Sequence, residues 1–391
     1  MFAICNATIY TPGKVIDNGF VVIEDHRIVE IGPASQTLPP GIELCDAQGL
    51  ILAPGFLDLQ INGGFGHDFT ADPSTIWQVA AELPRFGVTG FLPTIITSPL
   101  EKVRTARDVL TTGPPAGWRG AQPIGLHLEG PFLNPGKKGA HNPAYLRYPS
   151  LSDINGWSVE NQVRLVTMAP ELPWALETIG ELARRGILVS SGHSLATYDE
   201  AVAGIEAGAR YATHLFNAMP PLHHREPGLA AASLVDDRVT IGLIPDGLHV
   251  HPALVNLVRH IAGPDRLNLV TDAMAAMGMD PGDYLLGDYQ VVVDERSARL
   301  ADGTLAGCLL SLDAILRAYI SFTRAPLDEA LATITTTPAR LLGLETSIGR
   351  IAPGLNADLV LLTPDLQVVE TFIGGESIYQ VPNIGLKSTI R

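Results

Sequence analysis

Glu129, His193, His214 and Asp272 each close a short apolar run, in PIGLHLEG, GILVSSGHS, ARYATHLFN and LNLVTDAM. Two neutral imidazoles and one carboxylate suit a borderline divalent ion such as zinc, and three protein ligands leave a position open for water. A water held there titrates near neutrality and becomes a nucleophile. Asp272 adds a carboxylate that can take its proton and pass it to a leaving amine. Singly, a polar residue at the end of a strand is ordinarily an N-cap or turn former, and Asp272 also reads as a cap ahead of AMAAMG. The pattern recurs, however, at Gln60 with Asn62 and at Asp246 with His249. That recurrence favours a site over a set of unrelated turns.

The elements that would position these residues follow from the same runs. GFLDLQING, GVTGFLPTI, PIGLHLEG, VRLVTMAPE, GILVSSGHS, ARYATHLFN, VTIGLIPDGLH and LNLVTDAM supply eight strand candidates. Helix-like stretches such as STIWQVAAELPRFG, WALETIGELARRG, YDEAVAGIEAG and PALVNLVRHIAG separate most of them. Eight alternations predict an α/β fold of the (β/α)8 TIM-barrel type, whose site lies at the C-terminal strand ends. A doubly wound sheet would also alternate, but GGFGHDF does not fit the dinucleotide fingerprint and no P-loop is present. Both chain ends read as short strands and turns, which predicts one small β-sandwich built from the two termini; two separate β-caps are the alternative. The divisions expected are 1–52 and 345–391 for the β-sandwich and 53–344 for the barrel.

The chain has 391 residues, long enough for such a barrel with an accessory domain, and its low charged fraction of 17% argues against disorder. A net charge of −15 repels nucleic acid and anionic membranes, so neither is an expected partner. No apolar run reaches the length of a membrane span, and the first residues do not resemble a signal peptide, so a cytoplasmic location is expected. Cys5, Cys45 and Cys308 are few and far apart, which points to neither disulfides nor a thiolate metal site. An acidic protein would need a local cationic patch to capture an anionic substrate.

Taken together, these residues resemble the amidohydrolase superfamily, and the two β-rich ends resemble its two-part β-sandwich. APGFLDLQING, LHLEGPFLNPGKKGAHNP, SSGHS, THLFNAMPPLHHREPG, DGLHV and VTDAM are similar, in order along the chain, to the N-acetylglucosamine-6-phosphate deacetylases. The resemblance implies hydrolysis of the 2-acetamido group of a small amino-sugar phosphate. It implies Glu129, His193 and His214 as metal ligands, Asp272 as acid/base, and His141 as the residue that polarises the amide carbonyl. Ala140, His141, Asn217, Ala218, Ala306 and Gly307 would face the sugar, with Arg225 and His249 at the phosphate end. Arg225 and His249, with His223, His224 and His251, would then form the cationic patch. A homodimer is also implied, in which a neighbouring subunit contributes through the HHREPG loop.

The chain departs from many amidohydrolases at two points. Gln60 and Asn62 stand where an H-x-H pair would bind a second ion, and VRLVTMAPE offers no bridging lysine. One divalent ion per subunit is therefore expected, zinc first, with Fe2+, Co2+ or Mn2+ as alternatives. Cys308 occupies a position where a small polar residue is expected. His127 reads as a barrel-interior residue, while His26, His67 and His260 read as hairpin, loop and helix-end residues. Two other readings remain open: hydrolysis of a different N-acyl sugar or cyclic amide, and sugar-phosphate binding without catalysis.

Overall fold

The computed structural model describes all residues except 12, 37, 39, 40, 383–386 and 391, with backbone alone for 387–390. Eight parallel strands build a barrel: Phe56–Ile61, Val88–Ile96, Leu126–Glu129, Val163–Met168, Leu188–Ser191, Tyr211–Ala212, Thr240–Leu243 and Leu267–Leu269. Each falls on a run marked by the sequence, the second reaching one residue further, to Ile96. The ring closes between its first and last strands, where Asp272 N donates to Gln60 O at 2.8 Å and Asn62 N donates to Ala273 O at 2.7 Å. Val88–Ile96 is covered on both faces and buried along its whole length, Thr89 and Thr94 included. Side chains two apart share a face, so Asp58 with Gln60, and His127 with Glu129, line the same side of their strands.

The helices follow their periodicity. Ala175–Arg184 buries Ala175, Thr178, Ile179 and Leu182, a stripe at helical spacing, and leaves Glu181 and Arg184 outside. Tyr198–Ala207 opens with a capping box in which Thr197 and Glu200 satisfy each other's backbone N–H. His251 caps Pro252–Ala262, its Nδ1 accepting from Ala253 N at 3.2 Å. In STIWQVAAELPRFG the helix is short, Ile76–Glu82, and gives way to a 3-10 turn containing Pro84, which cannot continue an α-helix.

Two departures from simple alternation cover the barrel mouth. Between the third and fourth strands there is no α-helix, only 3-10 turns at Pro135–Lys137 and Pro143–Tyr145. Asn134 and Asn142 cap them by accepting from Gly136 N (2.9 Å) and Ala144 N (3.0 Å), and the loop so stiffened carries Ala140 and His141. After the last strand, Gly282–Leu286, Tyr289–Val293 and Ala298–Arg299 form a small antiparallel sheet. Leu286, Val291, Val293 and Ala298 pack it against Ile96 and Met274.

The chain ends meet in a separate nine-stranded sheet. Its path runs Glu376–Gln380, Val368–Ile373, Leu359–Leu362, Ile51–Pro54, Phe2–Thr11, Lys14–Glu24 and Arg27–Pro33. Ile51–Pro54 lies parallel to Phe2–Thr11 on one side and antiparallel to Leu359–Leu362 on the other, with Ala53 opposite Val360. One apolar cluster unites both termini, among them Ile4, Ile9, Val21, Leu52, Leu359, Leu361 and Phe372.

Candidate active site

Glu129 ends the third strand, while His193 and His214 follow the fifth and sixth by two residues each. All three are buried, and their ligand atoms lie within 4.8 Å of one another. His193 Nδ1 donates to Lys137 O at 2.9 Å, which leaves its Nε2 lone pair facing inward. That atom lies 3.1 Å from His214 Nε2 and 3.1 Å from Glu129 Oε1, and His214 Nε2 lies 2.9 Å from the same oxygen. Acceptors that converge so closely repel unless a proton or a cation sits among them. Burial works to raise the Glu129 pKa, yet the imidazole hydrogen bonds and charges hold it well below the usual carboxylate range. His214 is raised despite burial, through its hydrogen bond to Glu129. The donor set fits a single divalent ion.

Asp272 is tied to this triad by two amides. Gln60 Nε2 lies 3.1 Å from Glu129 Oε1 and 3.1 Å from Asp272 Oδ1, and Asn62 Nδ2 donates to Asp272 Oδ1 at 2.7 Å. Both amides therefore point their nitrogens at carboxylates. Gln60 Oε1 and Asn62 Oδ1, both buried, have no partner among the described residues. Burial and then the Glu129 charge raise the Asp272 pKa, which suits a group that must both take and return a proton.

His141 hangs over the triad from the long third loop, its ring 4.4 Å from that of His193. Thr97 N donates to its Nδ1 at 3.3 Å, so the ring proton is on Nε2, and Thr97 Oγ1 lies 2.9 Å from the same Nδ1. Nε2, 4.0 Å from Glu129 Oε2, is then a donor aimed into the site. Burial and the neighbouring His193 push its pKa down to about 3, which keeps it a neutral donor at working pH. The partner Thr97 gave no signal in sequence beyond standing at the end of the second strand.

A cavity of about 540 Å³ opens above these groups. Its lining brings together Glu129, Ala140, His141, His193, His214, Asn217, Ala218, His249, Asp272 and Gly307. Asp246 orients His249, accepting from its Nδ1 at 2.6 Å and from its backbone N at 2.7 Å. Ala306 is not in the lining; it is buried in the apolar cluster under the small sheet. Arg225 is exposed beside a different depression, with Pro220, His223 and Pro227, and its Nη1 lies 2.9 Å from His224 Nε2. Sequence reasoning passed over Lys137, Lys138 and Arg299, three cations in the cavity wall. KKGAH showed the lysines; nothing short of the fold places Arg299, which arrives on the inserted sheet.

His193, His214 and Asp272 all have positive φ, at 48°, 29° and 49°. Left-handed backbone at bulky residues costs of order 1–2 kcal/mol each and persists where surrounding structure overdetermines it, as at active sites.

Residues 51–378 match the amidohydrolase family, and residues 1–52 match the NagA composite domain. The chain is 39% identical to the N-acetylglucosamine-6-phosphate deacetylase of Bos taurus, over 94% of this chain and 90% of that one. It is 36% identical to the N-acetylgalactosamine-6-phosphate deacetylase of Escherichia coli O157:H7, over 90% and 95%. The N-acetylglucosamine-6-phosphate deacetylase structure from Pasteurella multocida superposes with a TM-score of 0.90 at 35% identity, covering 96% of this chain and 99% of that one. A Mycobacterium smegmatis deacetylase, solved as an aspartate-to-alanine mutant in complex with N-acetyl-D-glucosamine-6-phosphate, gives 0.89 at 34% identity, over 97% and 99%.

Proposed function

The chain belongs to the amidohydrolase family, and from that premise we propose that it hydrolyses N-acetylglucosamine 6-phosphate to glucosamine 6-phosphate and acetate. The observation that carries this reading is the convergence of Glu129, His193 and His214, with Asp272 joined to Glu129 through the Gln60 amide. Glu129, His193 and His214 hold one divalent ion, zinc by preference of the donor set. When bound, the ion supplies Lewis acidity and lowers the pKa of water at the site. Asp272, steadied by Gln60 and Asn62, takes the proton of the attacking water and delivers it to the departing nitrogen. His141 Nε2–H donates to the carbonyl oxygen as negative charge develops on it, and Thr97 keeps that proton in place.

Asn217, Ala218, Ala140 and Gly307 shape the wall against the sugar, and His249, held by Asp246, faces the phosphate end. Arg225 lies outside the lining of its own cavity; in a homodimer of the kind the resemblance implies, it would reach the phosphate bound by a neighbouring copy. The test is acetate release by metal-loaded protein from N-acetylglucosamine 6-phosphate, its galacto epimer and unphosphorylated N-acetylglucosamine. Turnover of the first far above the other two is expected. Preference for the galacto epimer, the substrate named for the E. coli relative, would move the assignment to that sugar. Release from none would overturn it.

A further inference from the structure

Asp58 is fully buried in the barrel, two residues before Gln60, and no cation lies within 4.0 Å of it among the described residues. A carboxyl so placed is costly unless its hydrogen bonds do something in return. Its Oδ2 accepts from Thr271 Oγ1 at 2.6 Å, and its Oδ1 lies 3.3 Å from the backbone nitrogens of both Gln60 and Thr271. Thr271 Oγ1 in turn accepts from Ala273 N at 3.1 Å. Asp58 thus grips the residue before Asp272 directly and, through one hydroxyl, the residue after it. The same carboxyl also holds the backbone of Gln60, whose side chain steadies Asp272. These contacts span the closure of the barrel, where Asp272 N itself donates to Gln60 O.

Asp272 needs such a grip. Its φ of 49° is left-handed backbone, which a residue with a Cβ adopts at a cost that the surrounding structure must offset. We propose that Asp58 is a positioning residue for Asp272, acting through Thr271 to fix the backbone from which the Asp272 carboxylate performs its proton transfers. The inference rests on the reading of Asp272 as the acid/base. A clamp of this kind changes the rate of the chemical step and leaves substrate capture, made by other residues, unaltered.

The experiment compares Asp58→Asn, Thr271→Val, their combination, Thr271→Ser and Asp272→Asn for kcat, KM, metal content and Tm. Asp58→Asn replaces one acceptor oxygen by an amide N–H, so the Thr271 hydroxyl no longer donates to it and turns to Gln60 O, 3.2 Å away, and Thr271→Val deletes the link. Each is expected to lower kcat by roughly 10–100-fold, the usual cost of losing a supporting hydrogen bond behind a catalytic group. KM should stay within about twofold and metal content should be unchanged, with the double variant no slower than the worse single. Thr271→Ser, which keeps the hydroxyl, should return most of kcat. An unchanged kcat in Asp58→Asn and Thr271→Val, with Asp272→Asn inactive, overturns the clamp alone. Loss of metal, or a loss confined to Tm, overturns it as well. An active Asp272→Asn overturns the acid/base reading on which the clamp depends. Should Asp58→Asn not fold, the two Thr271 variants decide the matter.

Discussion

His193 and His214 face each other through their Nε2 atoms at 3.1 Å, with Glu129 Oε1 about as far from each. The His193 ring cannot relieve the contact by exchanging its proton, because Nδ1–H is committed to Lys137 O. A proton on His214 Nε2, shared with Glu129 Oε1, relieves it in the metal-free chain, and a divalent ion held by the three side chains would add its binding free energy to the stability of the fold. At free metal 100-fold above Kd the gain is about 2.7 kcal/mol. Chelation should abolish turnover and lower Tm, and added Zn2+ should restore both; a Tm indifferent to chelation would contradict the site.

His141 is expected to matter for rate and not for metal. On the proposed mechanism its Nε2–H donates to the developing oxyanion, and removing such a donor costs about 10²–10³ in kcat. His141→Ala should show that loss with one metal still bound per chain, measured by elemental analysis. Loss of the metal would instead make His141 part of the ligand set.

Gly307 is constrained from two sides. Its φ is +92°, and a Cβ there would lie 2.9 Å from Asp272 O and 3.0 Å from Met274 Cβ. Gly307→Ala therefore adds left-handed strain and pushes on the backbone of Asp272. A displacement costing about 1.4 kcal/mol in the transition state is tenfold in rate. A fall in kcat of about tenfold or more is expected, and unchanged kinetics would show that the loop yields freely.

Asp68 should give the fold a pH dependence that can be isolated. It ends the short strand His67–Asp68, which pairs with Gly63–Gly64 just after the first barrel strand, with Oδ1 accepting from Ala71 N at 2.6 Å and Oδ2 unpartnered among the described residues. Burial raises its pKa from 3.8 to about 6. The folded state thus binds this proton more tightly than the unfolded chain does. Its stabilising contribution is complete below about pH 4 and is lost as pH rises through about 6. The Tm of Asp68→Asn minus that of the parent should climb between pH 4 and 7 and then level. A difference flat with pH would mean that Asp68 ionises normally.

The eight strands and the triad were legible because each carries a local signature: an apolar run, then a polar residue where a parallel barrel opens. The resemblance added His141, which no spacing rule reaches, since its proton is set by Thr97 from another strand. What stayed hidden is non-local. The left-handed backbone at His193, His214 and Asp272 is imposed by neighbours across the barrel, and these residue types do not announce it. The inserted sheet at 282–299 reads in sequence as a few alternating residues, yet it delivers Arg299 to the mouth. His251, grouped by sequence with the phosphate-facing residues, has its Nδ1 occupied in capping a helix.

The pairing of Ala53 with Val360 sets a schedule for synthesis. The strand Ile51–Pro54 emerges from the ribosome with one neighbour, Phe2–Thr11, already made and the other roughly 300 residues away. At about 5–20 residues per second the wait is on the order of 15–60 s. Throughout it a hydrogen-bonding edge next to a half-built apolar cluster stands open to other nascent chains. The last segment of the chain covers that edge and adds Val360, Leu362 and Val368 to the apolar cluster of the barrel, so a product truncated before Leu359 would lose both at once.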